Sequence, residues 1–355
     1  MRAMENSSCT DYAMCEAEKA IDELNTRLVL PGNYSEASYS FTQSQSEGNP
    51  RKRKTDITGS PEDQTEGTPS NRSSTEMDES KTQPFKRKID HFRTAKFNGR
   101  YKVENLLGRG CYGRVYNAVR KTDGKKVAIK CVLKFRNESY ITIPGHRCRL
   151  PREAALLELV CKPPRCPYVI ELLEWFELDS FIILVLKRPD PCINLYNFRQ
   201  NLVGGLTEEQ VQMIMKQTVE VALHCRERGV FHRDIKEENI LVNPDTLHVK
   251  LIDFGCADLY KETPYTEFAG TPLYIPPEWT SNGTYMAESG TVWGLGILMY
   301  SLLCGTRPDY IPEDYSDLNI PDYLSENSRN LLMWCLKKKP EERPTLQQIL
   351  AHKWF

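Results

Sequence analysis

No run of apolar residues in this 355-residue chain approaches the ~20 that a bilayer-spanning helix needs, and the N-terminus MRAMENSSCTDYAMCEAEKA lacks an apolar stretch of the signal-peptide kind. The expectation is a soluble, unsecreted protein. The 12 cysteines include no CxxC pair and no regular ligand spacing, which argues against a disulfide framework or a zinc module in a chain of this length. Excess charge is missing too: 47 Lys+Arg stand against 48 Asp+Glu, so the global basic field of a nucleic-acid binder is absent. Neither membrane nor nucleic acid is expected as a partner.

A further scarcity is local. From Gly32 to Gln83 the chain runs through Ser, Thr, Glu, Asp, Gln, Pro and Gly with hardly a large aliphatic side chain. Such a segment cannot bury enough apolar surface to offset chain entropy, so residues 1–96 read as a disordered tail. Within it, Met14, Ala17, Ile21, Leu24 and Leu28 recur at helical spacing, which suits a transient amphipathic helix, a docking segment or a marginal helix without function. Arg51-Lys52-Arg53-Lys54 fits a short nuclear-import signal, with Ser60-Pro61 and Thr68-Pro69 as phosphorylation candidates beside it, and Lys86-Arg87-Lys88 forms a second basic cluster. Short basic runs also arise by chance in polar tails. The resulting expectation is a cytoplasmic protein with access to the nucleus.

From Tyr101 the hydrophobic pattern is continuous to Trp354-Phe355, enough chain for one large domain. Strands are predicted over 101–107, 114–120, 126–133, 169–176 and 181–186, with a helix over 152–161 between the third and fourth. After Pro191 the pattern is mainly helical, over 208–228, 288–304, 328–337 and 346–352. A strand-rich part followed by a helix-rich part implies an α+β fold of two sub-lobes with a cleft between them.

Gly108-Arg109-Gly110-Cys111-Tyr112-Gly113-Arg114-Val115 has the form GxGxxGxV. GxGxxG also opens dinucleotide-binding folds, but there a helix follows the last glycine, whereas Val115 to Val119 continues as a strand. Two strands joined by a flexible glycine turn let backbone N–H groups approach triphosphate oxygens. A plain hairpin with a glycine-rich turn is the bland alternative. Twelve positions after Val115, Val127-Ala128-Ile129-Lys130 places Val127 and Ile129 on one strand face and Ala128 and Lys130 on the other, toward the cleft. A lysine there can neutralise α- and β-phosphates. Glu153 on the following helix is the candidate acid to fix it, while Glu158 is expected on the opposite face.

His232-Arg233-Asp234-Ile235-Lys236-Glu237-Glu238-Asn239 is followed by Asp253-Phe254-Gly255 and by Pro276-Pro277-Glu278. With the glycine loop and the VAIK lysine upstream, these are, in order, the motifs of eukaryotic-type protein kinases. Phosphoryl transfer needs little covalent help but much positioning and charge neutralisation, which explains the residue types. The expected fold is therefore the two-lobed eukaryotic protein kinase fold, β-rich N-lobe and α-helical C-lobe, behind the disordered tail. The expected bounds are 1–96 for the tail and 97–355 for the kinase domain, with N-lobe 97–186, hinge 187–191 and C-lobe 192–355. Asp234 would accept the substrate hydroxyl proton, Lys236 would steady the transferring phosphate, and Asn239 and Asp253 would hold Mg ions. Lys236 and Thr271 resemble Ser/Thr-kinase residues, so ATP-dependent transfer to protein Ser/Thr is the expected reaction.

The segment from about 97 to 355 resembles the PIM family of Ser/Thr kinases. The resemblance is carried by Glu174-Trp175-Phe176, Lys187-Arg188-Pro189-Asp190-Pro191, the run from Gly229 to Leu241, Tyr265-Thr266, Pro276-Pro277-Glu278-Trp279 and Trp334-Cys335-Leu336. It implies that Pro189 replaces a linker N–H that adenine would otherwise accept from, leaving the Lys187 carbonyl as the polar contact. ATP would then rest on apolar walls from Leu107, Val115, Ala128, Leu186 and Leu241, beneath Gly108, Gly110 and Gly113. It also implies constitutive activity, so that Thr263, Tyr265 and Thr266 need not be phosphorylated, together with substrates carrying basic residues before the acceptor.

Lys187 stands where the family has Glu, and Asn194 and Asn197 where it has acids, so the basic preference is expected to be relaxed, with Glu237 and Glu238 retaining part of the negative field. Thr291 stands where most kinases have Asp, as PIM kinases also lack it. Glu278 and Arg343 resemble an anchoring ion pair, and Cys111 and Cys256 could be oxidant sensors or packed thiols. A pseudokinase scaffold is the rival reading, opposed by the retention of Lys130, Glu153, Asp234, Asn239 and Asp253; a nucleic-acid regulator acting through the tail is a distant third. A monomer is expected.

The neutral total also separates into balanced parts. Residues 1–96 carry 14 Lys+Arg against 16 Asp+Glu, leaving 33 against 32 in the rest.

Overall fold

Alternating apolar residues from Tyr101 onward form a ladder of long antiparallel strands. In the computed structural model, β1 (Tyr101–Gly110) and β2 (Gly113–Arg120) form a hairpin, and β3 (Lys126–Leu133) pairs with β2. Described residues are 96–110, 113–134, 140–178, 180–307, 318 and 320–355. The expected tail, its basic clusters and its helical stretch all lie outside them, as does Cys111.

Helix α1 (Arg152–Cys161) precedes β4 (Leu172–Glu177) and β5 (Phe181–Lys187). The sheet order is β1-β2-β3-β5-β4, so β5 lies between β3 and β4; it is buried from Phe181 to Leu186. The predicted strand over 169–176 starts three residues late. Val169 instead lies opposite Leu251 in a parallel bridge, the Ile170 N–H donating to the Leu251 carbonyl and the Leu251 N–H to the Tyr168 carbonyl, which ties the segment to the helical lobe before it enters the sheet.

The helical lobe begins at β6 (Ile193–Asn194) and α2 (Leu195–Asn201). Asn194 accepts a hydrogen bond from the Asn197 N–H, an N-cap that supplies a local reason for an amide at that position. Helix α3 (Glu208–Glu227) opens with a reciprocal capping box between Thr207 and Gln210. Behind it come β7 (Val230–Phe231), β8 (Ile240–Val242), β9 (Val249–Leu251) and β10 (Asp258–Leu259), the short ladders that carry the catalytic segments.

Helix α4 (Pro277–Asn282) leads to α5 (Ala287–Cys304), which is apolar on every side and accordingly buried along most of its length. Helices α6 (Glu326–Cys335) and α7 (Leu346–Leu350) start at Ser325 and Thr345 caps; α6 lies two residues earlier than the predicted 328–337, and α7 starts as predicted but ends two residues before 352. The β-rich lobe followed by the helical lobe is the expected two-lobed fold. Among the described residues no helix is long and apolar enough to cross a membrane.

Candidate active site

The hairpin shifts register between Val103 and Leu106 and again between Leu106 and Gly108, and its glycine end then sets Gly108 opposite Val115 and Gly110 opposite Gly113. Gly113 is required by packing rather than by flexibility: a Cβ there would meet the Cys131 carbonyl oxygen at 2.0 Å. Below the hairpin, Ala128 pairs with Leu186 across β3 and β5. Leu186 is buried, Val115, Ala128 and Leu241 are half-buried, and Leu107 is exposed at the rim. The Lys187 N–H is spent on the Glu171 carbonyl, and Pro189 offers no N–H; its carbonyl accepts from the Cys192 thiol.

Strand alternation turns Lys130 into the interior, where it is 5% exposed. Its Nζ lies 2.5 Å from Glu153 Oε1 and 2.7 Å from Asp253 Oδ1. Burial alone would discharge the amine, but the two carboxylates outweigh it and raise its pKa above the ordinary lysine value. Asp253 is likewise penalised by burial, yet the Lys130 charge holds its carboxyl below the usual range. Burial pushes Glu153 toward neutrality, while a 2.5 Å contact with an ammonium favours the carboxylate; we take it as charged beside Lys130. Glu158 faces away, as expected, and accepts from Trp175 Nε1 at 2.8 Å.

The catalytic loop is built around one carboxylate. Asp234 Oδ1 accepts from the Thr271 N–H at 3.0 Å and the Thr271 hydroxyl at 2.8 Å. Its Oδ2 accepts from Asn239 Nδ2 at 2.8 Å and lies 2.8 Å from Lys236 Nζ, which also donates to Thr271 Oγ1 at 2.5 Å. Gly270 brings the two segments together: a Cβ there would sit 2.6 Å from the Arg233 carbonyl, and its φ of 132° suits only glycine. His232 is buried, with Nε2 3.1 Å from the Ile252 carbonyl and Nδ1 accepting from the Asp234 N–H. These partners place its proton on Nε2, and burial lowers its pKa.

Asn239 and Asp253 are brought close because β8 and β9 are paired and the Ile252 N–H donates to the Asn239 carbonyl. Asn239 Nδ2 is spent on Asp234, leaving its amide oxygen for a cation, while Asp253 adds a carboxylate. One carboxylate, one amide oxygen and substrate phosphates fit Mg2+, which keeps few protein ligands. The residues present therefore fit the group.

The activation segment is anchored by charges supplied within the chain. Arg233, at φ 69°, reaches Asp258 Oδ2 at 3.3 Å and the Glu267 carbonyl at 2.9 Å, and Arg152 of α1 reaches Asp258 Oδ1 at 3.3 Å. Tyr265 is buried, donates to the Leu259 carbonyl at 2.6 Å and packs against Phe231 and Tyr285. Glu278 and Arg343 form a buried two-pronged pair at 2.8 and 2.7 Å. The Thr291 hydroxyl turns back to the Ala287 carbonyl of its own helix.

One expectation is corrected. Glu237 cannot lend negative field to the cleft, because its side chain is fully buried and paired with Arg199 at 2.9 Å. Glu238, partly exposed, is paired with Arg307 at 2.7 Å. Reasoning along the sequence missed Arg152, Asp258, Arg199 and Arg307. None lies in a motif, and their partners are distant in sequence, from 25 positions for Asp258 with Arg233 to more than 100 for Arg152 with Asp258.

A strand-rich and a helical lobe, a buried lysine fixed by two acids and an aspartate oriented on both oxygens define the protein kinase class. The Protein kinase domain family matches residues 101–355. The chain is 38% identical to the serine/threonine-protein kinase pim-2 of Danio rerio over 267 residues, which cover 73% of this chain and 86% of the relative. It is 34% identical to the serine/threonine-protein kinase prk-2 of Caenorhabditis elegans, covering 73% and 59%. With the NUAK family SNF1-like kinase 1 of Mus musculus it shares 29% identity, covering 72% and 38%. The chain belongs to the protein kinase family, and these relatives support serine/threonine kinase activity.

Proposed function

We propose that the chain is a PIM-like Ser/Thr protein kinase, active without phosphorylation of its activation segment, that transfers the γ-phosphate of ATP to protein hydroxyls. The carrying observation is Asp234, whose Oδ1 is held by Thr271 and whose Oδ2 is held by Asn239 and Lys236. A carboxylate fixed on both oxygens is positioned to receive the acceptor's proton as its oxygen attacks phosphorus. Lys236, within reach of both Asp234 and Thr271, would neutralise charge on the moving phosphoryl group. Lys130 would bind the α- and β-phosphates, with Glu153 holding it in place. Mg2+, when bound at Asn239 and Asp253, would neutralise the triphosphate.

Activity without activation-loop phosphate is supported by Asp258, a built-in acid that already occupies Arg233 and Arg152. Tyr265 is too buried to serve as an accessible phosphoacceptor. Weak reliance on linker hydrogen bonds follows from Pro189. The preference for basic substrates is modest, because Glu237 is neutralised internally. The protein acts as a cytoplasmic monomer, with nuclear access through Arg51 to Lys54.

Phosphatase-treated protein with Mg-ATP, offered an array of Ser, Thr and Tyr peptides, tests this reading. Prompt transfer to Ser and Thr peptides is expected. Transfer only after a lag that tracks autophosphorylation would refute constitutive activity, and transfer to Tyr alone would refute the acceptor class.

A further inference from the structure

Two arginines and two glutamates close a network beside the acceptor site. Glu238 immediately precedes Asn239, whose amide touches the Asp234 carboxylate, so it belongs to the short turn that carries the catalytic loop. With a side chain 39% exposed it could receive a substrate cation, but Arg307 already holds Oε1 at 2.7 Å. The other oxygen, Oε2, is buried and makes no hydrogen bond.

Arg307 is itself fixed. Its guanidinium lies over the Tyr196 ring at 4.9 Å and its Nε is 3.6 Å from Glu237. Arg199, one turn from Tyr196 on α2, grips Glu237 and donates to the Gly305 carbonyl at 2.5 Å, two residues before Arg307. The end of α5 is thereby clamped where it delivers Arg307 to Glu238. A guanidinium held on several sides loses little entropy in keeping its ion pair.

The geometry points to Arg307 as a specificity-determining residue: its guanidinium occupies, from within the chain, the anionic position at Glu238 that a basic substrate side chain would otherwise use. This rests on the kinase reading above and deepens it. A substrate cation approaching Glu238 meets a paired carboxylate and the like charge of Arg307, which removes the attraction and adds a repulsion. Substrates with an uncharged residue at the facing position are therefore favoured relative to those with Arg or Lys there.

The test compares kcat/KM for peptides that differ only by Arg or Ala at each position before the acceptor Ser. In the native enzyme, Glu238→Gln is expected to leave every Arg/Ala ratio within about twofold. Arg307→Ala is expected to raise the ratio about tenfold at one position, through KM of the Arg peptide, with the gain shrinking as salt is added. The double variant Arg307→Ala/Glu238→Gln should lose that gain.

A tenfold fall in the ratio for Glu238→Gln alone would overturn the proposal, since it would show the carboxylate free for substrate. So would an Arg307→Ala ratio unchanged at all positions, or a gain that survives in the double variant. Arg307→Gln, which keeps the stem over Tyr196, repeats the measurement should the alanine variant unfold. Absence of transfer to every peptide by native protein would refute the kinase reading instead, and is thus distinguishable.

Discussion

Removing a single methyl-sized hydroxyl from the activation segment should cost this enzyme most of its turnover while leaving nucleotide binding intact. Thr271 Oγ1 donates to Asp234 Oδ1 at 2.8 Å and accepts from Lys236 Nζ at 2.5 Å, so it is shared by the proton acceptor and the cation of the site. In Thr271→Val both contacts go, while the Thr271 N–H, Asn239 and Lys236 still hold the carboxylate in the pocket. Hydrogen bonds to charged groups contribute about 1.5–3 kcal/mol each, and one such loss expressed in the transition state is about 10- to 150-fold in kcat. Steady-state kinetics with a good Ser peptide should show that fall, an ATP KM within about twofold, and recovery in Thr271→Ser. An undiminished kcat in Thr271→Val would refute the claim that this hydroxyl orients Asp234.

Lys130→Met should abolish transfer by about 100-fold or more and remove the ATP-dependent rise in Tm, because Lys130 is the cation set between Glu153 and Asp253; a retained ATP shift in differential scanning fluorimetry would contradict its phosphate role. Arg343→Leu leaves Glu278 buried and unpaired, at a cost of about 3–5 kcal/mol, whereas Arg343→Leu/Glu278→Leu should be the more stable of the two variants; denaturant melts decide, and a less stable double variant would count against a buried pair. His232 has a folded pKa below its ordinary 6.5, so its neutral form contributes stability that is complete above pH 6.5 and is lost as pH falls toward the folded value. As pH falls below 6.5 the native protein should therefore lose stability from this group until the folded imidazole also protonates. His232→Gln should flatten that limb, and an unchanged slope would show that the imidazole does not titrate there.

How far the sequence could be read depended on the range of each interaction. Helix α1 matched its predicted ends because its apolar period is local and Pro151 marks its start. The start of β4 is not legible locally, because Val169 and Ile170 are as apolar as strand residues, and only their pairing with Leu251, about 80 positions away, assigns them to the other lobe. At the site, Lys130, Asp234, Asn239 and Asp253 were legible because phosphoryl transfer demands those types at short, fixed spacings. The burial of Glu237 is hidden from the sequence for the complementary reason. A glutamate beside the catalytic motif looks like cleft charge until Arg199, on another helix, is seen to bury with it. Arg307 follows the same logic, since nothing near it in the chain signals that it reaches back to Glu238.

Asp234, held by Thr271, Asn239 and Lys236, is assigned as the base that receives the acceptor's proton during phosphoryl transfer. The most direct test of that role is single-turnover transfer from Mg-ATP to a Ser peptide by native protein and by Asp234→Asn, with folding of both confirmed by Tm. Native protein should phosphorylate the peptide, and the variant should do so at least about 100-fold more slowly, as befits loss of a positioned base. Equal rates for the two proteins would contradict the assignment.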